Sequence, residues 1–179
     1  MQIENGFEVE TSRDVAWALL TDIPRVVPCM PGAKLERVVD DHTWEVLQTV
    51  KLGPISLQFR SEVKQEQLAE AEGFAVLAVR AKELRGKGGA EATIRSSLSP
   101  TATGTRVDLV TELELRGVVA QYGRPVVGSV AEELTKQFAA CLASMLAEER
   151  PAERPAEAKP VGGLRLLLRS LWRRLFPRD

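Results

Sequence analysis

The chain has 179 residues, of which 44% are hydrophobic and 27% charged, values typical of a soluble protein with one well-buried domain. Two cysteines are too few for a disulfide framework or a Cys/His zinc site, and one histidine, His42, leaves any Ser-His or Cys-His catalytic pair a single possible base. The formal net charge of -1 gives no sign of nucleic acid or an anionic membrane as a partner.

The first residues predict a strand and two short helices. Residues 2–10 alternate between apolar and polar side chains, as in a strand with one buried face, and capping residues open a helix at residues 11–20. A second short helix is predicted at residues 23–27, because proline is tolerated in the first turn of a helix. The prolines and glycine of residues 28–32 then predict a rigid turn.

Six further stretches alternate with the period of two that is typical of half-buried strands. Short turns join them, which predicts an antiparallel meander. The stretches are residues 34–39, 43–52, 55–64, 73–84, 90–98 and 105–115.

Residues 118–149 change to three- and four-residue spacing, which predicts one long amphipathic helix. The elements together predict an α+β fold, in which a curved antiparallel sheet of about seven strands wraps around this C-terminal helix. Two short helices follow the first strand. Because side chains often fill such a contact incompletely, we expect a hydrophobic cavity between sheet and helix.

This order of elements resembles the helix-grip fold of the START and Bet v 1-like (SRPBCC) superfamily. Over about residues 1–147, four short motifs make the chain similar to the CoxG family of carbon monoxide dehydrogenase proteins. The motifs are PCMPGA at 28–33, VKLGPI at 50–55, GKGGA at 86–90 and GRP at 123–125. That family is an accessory to a molybdenum-containing dehydrogenase and has no catalytic part in it. The resemblance therefore implies a binding or tethering role, carbon monoxide dehydrogenase as a partner and no catalytic residues.

The motif residues also have structural interpretations. Residues 28–32 form a turn that sets strand register, and residues 86–89 lack the helix start that a phosphate loop needs. His42, between two aspartates and a threonine, is interpreted as a solvated loop residue. Cys29 and Cys141 are interpreted as buried small apolar side chains, in agreement with a reducing cytoplasm.

The C-terminal segment differs from the rest in charge and composition. Residues 161–179 carry five arginines and one aspartate, a net +4, so residues 1–160 carry -5. Residues 150–163, rich in Pro, Ala and Glu, predict a flexible linker between a domain at 1–149 and an amphipathic helix at 164–177. At about 20 Å this helix is too short to span a membrane, so it is predicted to lie in the interface. Its membrane-binding residues are Leu164, Arg165, Leu167, Leu168, Arg169, Leu171, Trp172, Arg173, Arg174, Leu175 and Phe176.

Membrane binding is preferred for this helix because arginines attract anionic head groups while leucines and Trp172 enter the acyl boundary. Docking on another protein, such as the dehydrogenase, stays open as the alternative. Nucleic acid is not expected, because phosphate contacts leave the apolar stripe unexplained. The N-terminus has no signal-peptide pattern, and no stretch reaches the length of a membrane span. The expected location is cytoplasmic, peripherally at the inner face of the cell membrane.

Cavity and membrane helix together predict a protein that takes an isoprenoid quinone, menaquinone or ubiquinone, from the bilayer and presents it to the dehydrogenase. Tyr122 is predicted to donate a hydrogen bond to a quinone carbonyl. A solid core built from the same residues is the alternative for each of them. The predicted lining comprises Val27, Met30, Leu57, Phe59, Leu109, Leu113, Tyr122, Val126, Val130 and Leu134.

Two further functions are weighed against quinone binding. An adaptor for membrane recruitment or maturation explains the C-terminal helix without ligand transport. An enzyme, as with the cyclases and hydrolases on related folds, needs acidic or histidine side chains in the cavity. The predicted inward faces offer mainly Gln48, Ser61 and Thr111.

Overall fold

Seven antiparallel strands form one sheet in residues 1–52, 55–86 and 88–149, the part of the chain that the structure, a computed structural model, describes. The strands are β1 (Gln2–Val9), β2 (Ala33–Asp40), β3 (Thr43–Leu52), β4 (Ile55–Ala69), β5 (Phe74–Glu83), β6 (Gly88–Pro100) and β7 (Thr105–Gly117). Their order is β1-β7-β6-β5-β4-β3-β2, so only the pairing of β1 with β7 joins strands distant in the chain. The predicted α+β architecture and meander are confirmed.

Short helices follow β1, and a long helix follows β7. They are α1 (Arg13–Thr21), α2 (Ile23–Val26), a first 3-10 helix (Val27–Cys29), a second 3-10 helix (Val118–Tyr122) and α3 (Gly123–Glu149). The Ser12 hydroxyl caps α1 by accepting a hydrogen bond from the backbone N–H of Val15 at 3.4 Å. The long helix therefore starts later than the predicted residue 118, because Gly123 has a φ of 69° that interrupts the helical backbone.

The main core lies between α1, the C-terminal half of α3 and the inner face of the sheet. On α3, Leu142 is only 1% exposed and Leu146 8%. The ring of Phe138 packs edge to face on Phe7, with 6.0 Å between the centroids. These contacts fix the second half of α3 on the sheet.

The turn before β2 explains the glycine of the PCMPGA motif. Gly32 has a φ of 73°, which side chains with a Cβ rarely adopt, and a Cβ there would run into the carbonyl oxygen of Thr49. The backbone N–H of Thr49 donates to the Gly32 carbonyl at 2.9 Å. This glycine thus sets where β2 begins against β3, as the structural interpretation of the motif proposed.

The interpretation of Cys29 and Cys141 as separate side chains was wrong, because the structure joins them by a disulfide. Their Cα atoms are 5.3 Å apart although 112 positions separate them in the chain. The bridge connects the first 3-10 helix to α3. Such a pairing depends on how α3 packs back on the N-terminal helices, which the spacing does not indicate.

Several predictions fall outside the described residues. These are the turn at 53–54, Lys87 of the GKGGA motif, the linker at 150–163 and the helix at 164–177. The domain boundary after residue 149 likewise stays a prediction. Within the described ranges, no helix is both long enough and apolar enough to cross a bilayer.

Candidate functional site

A cavity of about 370 Å³ lies between the inner face of the sheet, α2 with the first 3-10 helix, and the middle of α3. All seven strands contribute side chains to its wall, and most of these are aliphatic or aromatic. The volume falls at the lower end of the roughly 300–1,000 Å³ of ligand pockets. The structure therefore contains the hydrophobic cavity that the fold class led us to expect.

Four of the residues predicted to line the cavity are found in its wall. Val27 and Met30 reach it from the first 3-10 helix and the turn that follows. Leu109 faces it from β7, and Leu134 faces it from α3. Their contact with a ligand stays a prediction.

Leu57, Phe59 and Tyr122 lie outside the lining. Leu57 and Phe59 are buried with Val119 in a separate cluster, against which Tyr122 packs. The second 3-10 helix, which contains Val119, covers this end of β4. The structure thus places the predicted hydrogen-bond donor, Tyr122, beside the neighbouring cluster instead of in the cavity wall.

Val126 and Val130 also lie outside the lining, for reasons of helix geometry. A helix turns about 100° per residue, so a four-residue spacing drifts by about 40° at each step and leaves the inward face. Val126 is 42% exposed and Val130 partly buried. Leu113 on β7 is partly buried outside the wall as well. The residues that α3 presents to the cavity are Ala131, Leu134, Thr135 and Phe138.

Six polar side chains interrupt the apolar wall, and two of them are satisfied by the backbone. The Ser96 hydroxyl donates to the carbonyl of Ala75 at 3.4 Å, and the Thr135 hydroxyl donates to the carbonyl of Ala131 at 2.9 Å. The other four make no side-chain hydrogen bond to any residue that the structure describes. These four are Asn5, Gln48, Ser61 and Thr111.

The four side chains form two pairs on different walls. Asn5 and Thr111 lie on the adjacent strands β1 and β7, and Gln48 and Ser61 on the adjacent strands β3 and β4. Strands β5 and β6 separate the pairs. Because the sheet curves around the cavity, donors face the apolar space from two sides.

Residues that could transfer protons are absent from the described wall. Its side chains include no Asp, Glu, His, Lys, Arg, Cys or Tyr. His42 lies in the turn between β2 and β3, where its Nδ1 is 3.5 Å from Oε1 of Gln65. Among the described residues no group of three or more His, Cys, Asp or Glu is placed to hold a metal. The arrangement is suited to holding an apolar ligand through a few hydrogen bonds.

Comparisons with known proteins give one family and a common fold. A family model that describes CoxG of carbon monoxide dehydrogenase matches residues 6–147. No curated protein matches the sequence.

Among solved structures, a conserved protein from Geobacillus kaustophilus is similar at 19% identity and a TM-score of 0.74, over 83% of this chain and 96% of that one. The Zhui aromatase/cyclase of Streptomyces sp. R1128 has 14% identity and a TM-score of 0.59, over 85% and 96%. A START superfamily protein of Mycobacterium smegmatis has 17% identity and a TM-score of 0.55, over 82% and 97%. At these identities the likeness shows the fold alone.

Proposed function

The chain belongs to the CoxG family of carbon monoxide dehydrogenase proteins, and from this premise we propose that it binds an isoprenoid quinone in its cavity and links a molybdenum-containing carbon monoxide dehydrogenase to the membrane quinone pool. The family description supports an association with that dehydrogenase. The cavity supports the binding of a ligand. In this role the protein is a non-catalytic accessory.

The observation on which the proposal rests is the pair of polar groups on each of two walls of an apolar cavity. A quinone ring is apolar apart from two carbonyl oxygens at opposite positions, and each oxygen accepts hydrogen bonds. The hydroxyl of Thr111 and the amide of Asn5 are donors for one carbonyl. Ser61 and Gln48 are donors for the other. A volume of about 370 Å³ accepts the ring and the beginning of an isoprenoid tail.

The sequence of residues 164–177 supports a source for this ligand. Isoprenoid quinones dissolve in the bilayer and not in water, so a carrier must reach the membrane surface. Each arginine near an anionic leaflet contributes about 1 kcal/mol of attraction, and the leucines add apolar burial. This combination favours reversible attachment at the inner face of the cell membrane.

Organic extraction of the purified chain, followed by mass spectrometry, tests the proposal. We expect bound menaquinone or ubiquinone in the wild type and none in Ala131→Trp, because the indole would occupy the cavity. Val126→Trp is the matched control, since Val126 is on the same helix but 42% exposed. Absence of quinone in the wild type, together with no uptake from quinone-loaded liposomes, would refute quinone binding.

Deletion of residues 161–179 separates quinone transport from simple recruitment. We expect the shortened chain to lose co-sedimentation with anionic liposomes and to retain quinone added in detergent. If Ala131→Trp supports carbon monoxide-dependent quinone reduction by the dehydrogenase as well as the wild type, the adaptor function is correct and transport is wrong.

A further inference from the structure

The disulfide between Cys29 and Cys141 joins two elements that border the cavity from different sides. Cys29 ends the first 3-10 helix, and the residues beside it in the chain include Met30, which lines the wall. Cys141 lies on α3, three residues after Phe138, which also lines the wall. The bridge therefore limits how far the N-terminal helical segment and α3 can separate.

Other contacts hold the same part of α3 when the bridge is absent. Leu142 and Leu146 are buried in the main core, and Phe138 packs on Phe7. The first turns of α3 have no comparable burial, since Val126 is 42% exposed. Loss of the bridge is thus expected to loosen the border of the cavity while the domain stays folded.

From this placement we infer that Cys29 and Cys141 form a thiol–disulfide exchange site that controls ligand access to the cavity, with a dithiol as its reductant. The inference rests on the proposed function only in that the cavity takes an apolar ligand. The bridged form holds the border closed, and the dithiol form lets ligand exchange. This regulation adds to the proposed transport the point at which a redox signal acts on it.

Accessibility decides the order of the exchange steps. Cys29 is 4% exposed, whereas Cys141 is partly exposed, so the reductant's first thiolate attacks Sγ of Cys141. This step forms a mixed disulfide and expels the Cys29 thiolate, which takes up a proton. The reductant's second thiolate then attacks its own sulfur in the mixed disulfide and releases Cys141, which takes up the second proton. The bridge gains two electrons and two protons, and the dithiol becomes a disulfide.

A third sulfur atom stands at the site. Sδ of Met145 lies 3.2 Å from Sγ of Cys29. In the dithiol form the Cys29 S–H is a weak donor and the thioether a weak acceptor. Met145 therefore gives the buried thiol a partner after reduction.

The rate at which an apolar fluorophore leaves the cavity tests this control. The full chain is bridged with oxidised glutathione or reduced with dithiothreitol, and alkylation with mass spectrometry counts the thiols. Stopped-flow dilution then follows the release of 1-anilinonaphthalene-8-sulfonate. We expect release about tenfold faster from the reduced chain, since a cross-link that restricts opening no longer shifts the equilibrium toward the closed form.

A double variant, Cys29→Ser with Cys141→Ser, is expected to release the fluorophore at the reduced rate with or without dithiothreitol. Met145→Leu, which keeps the bridge, is expected to retain the slow rate of the bridged wild type. If the double variant does not fold, the reduced wild type remains the test. Hydrogen exchange of the amides in β4 and β5 checks that reduction leaves the sheet folded.

Three results would overturn the inference: equal release rates in the bridged and reduced chains, a bridge that neither forms nor is reduced under these conditions, or hydrogen exchange accelerated throughout the sheet. The outcome is independent of the ligand's identity. If extracts contain no quinone but release still depends on the bridge, quinone binding is wrong and the control of access stands.

Discussion

Thr111→Val should weaken quinone binding without lowering the stability of the free protein. The substitution preserves the shape of the side chain and removes its hydroxyl, which faces the cavity and makes no hydrogen bond to any described residue. In the complex, that hydroxyl is proposed to donate to a quinone carbonyl. Binding and stability are therefore expected to respond in different directions.

The expected size of the effect follows from general hydrogen-bond energetics. A neutral hydrogen bond contributes a net of about 0.5–1.5 kcal/mol, so its loss should raise the dissociation constant about two- to tenfold. In the free protein the hydroxyl faces a mainly apolar wall. Exchanging it for a methyl group removes a desolvation cost, so the free energy of unfolding should stay the same or rise by up to about 1 kcal/mol.

Thr135→Val provides the matched control, because the Thr135 hydroxyl lines the same cavity but already donates to the carbonyl of Ala131 at 2.9 Å. Titration with a short-tail menaquinone, followed by tryptophan fluorescence, measures the dissociation constant, and urea unfolding measures stability. Equal losses of affinity in both variants, or none in Thr111→Val, would show that unpartnered hydroxyls do not select the ligand.

Two predictions concern the scaffold. Gly32→Ala should lower the free energy of unfolding by about 1–3 kcal/mol, because a Cβ meets the Thr49 carbonyl at a φ of 73°, whereas Gly128→Ala, with nothing near its Cβ on α3, should raise it by about 0.5–1 kcal/mol in urea titrations. The backbone N–H of His42 donates to Asp40 at 2.8 Å and holds the pKa of that carboxyl below its usual 3.8, so stability should fall as the pH drops from near 4 through this lower value. Asp40→Asn should reduce this acid dependence, and an unchanged pH profile of unfolding would contradict the assignment.

Strands whose alternation is unbroken were predicted well, and irregular ones were not. β3 runs from Thr43 to Leu52 as predicted, because its apolar and polar residues alternate throughout and turns bound it. β4 was predicted to end at residue 64 but continues to Ala69. A register shift between Gln65 and Gln67 reverses the alternation there, so a pattern of strict period two ends before the strand does.

The cavity could be predicted from the fold class, but its wall on α3 could not be predicted from hydrophobicity. The inward residues include Ala131 and Thr135, which are small or polar and resemble surface positions in a sequence. Val126, which resembles a core residue, is exposed because the first turns of α3 lie where little packs against them. A cavity lacks the dense packing that places large apolar side chains inside, so hydrophobicity alone is a poor guide to its lining.

The disulfide and the unequal burial along α3 bear on the same physical problem, which is how a carrier opens without unfolding. Leu142 and Leu146 bury their side chains at the end of the helix, so separating that end from the sheet costs most of the helix's apolar burial. The residues around Ala131 border the cavity and have fewer contacts to lose. Movement at the cavity border is therefore much cheaper than unfolding, and the Cys29–Cys141 bridge acts between these two regions, where a small change in separation alters access most.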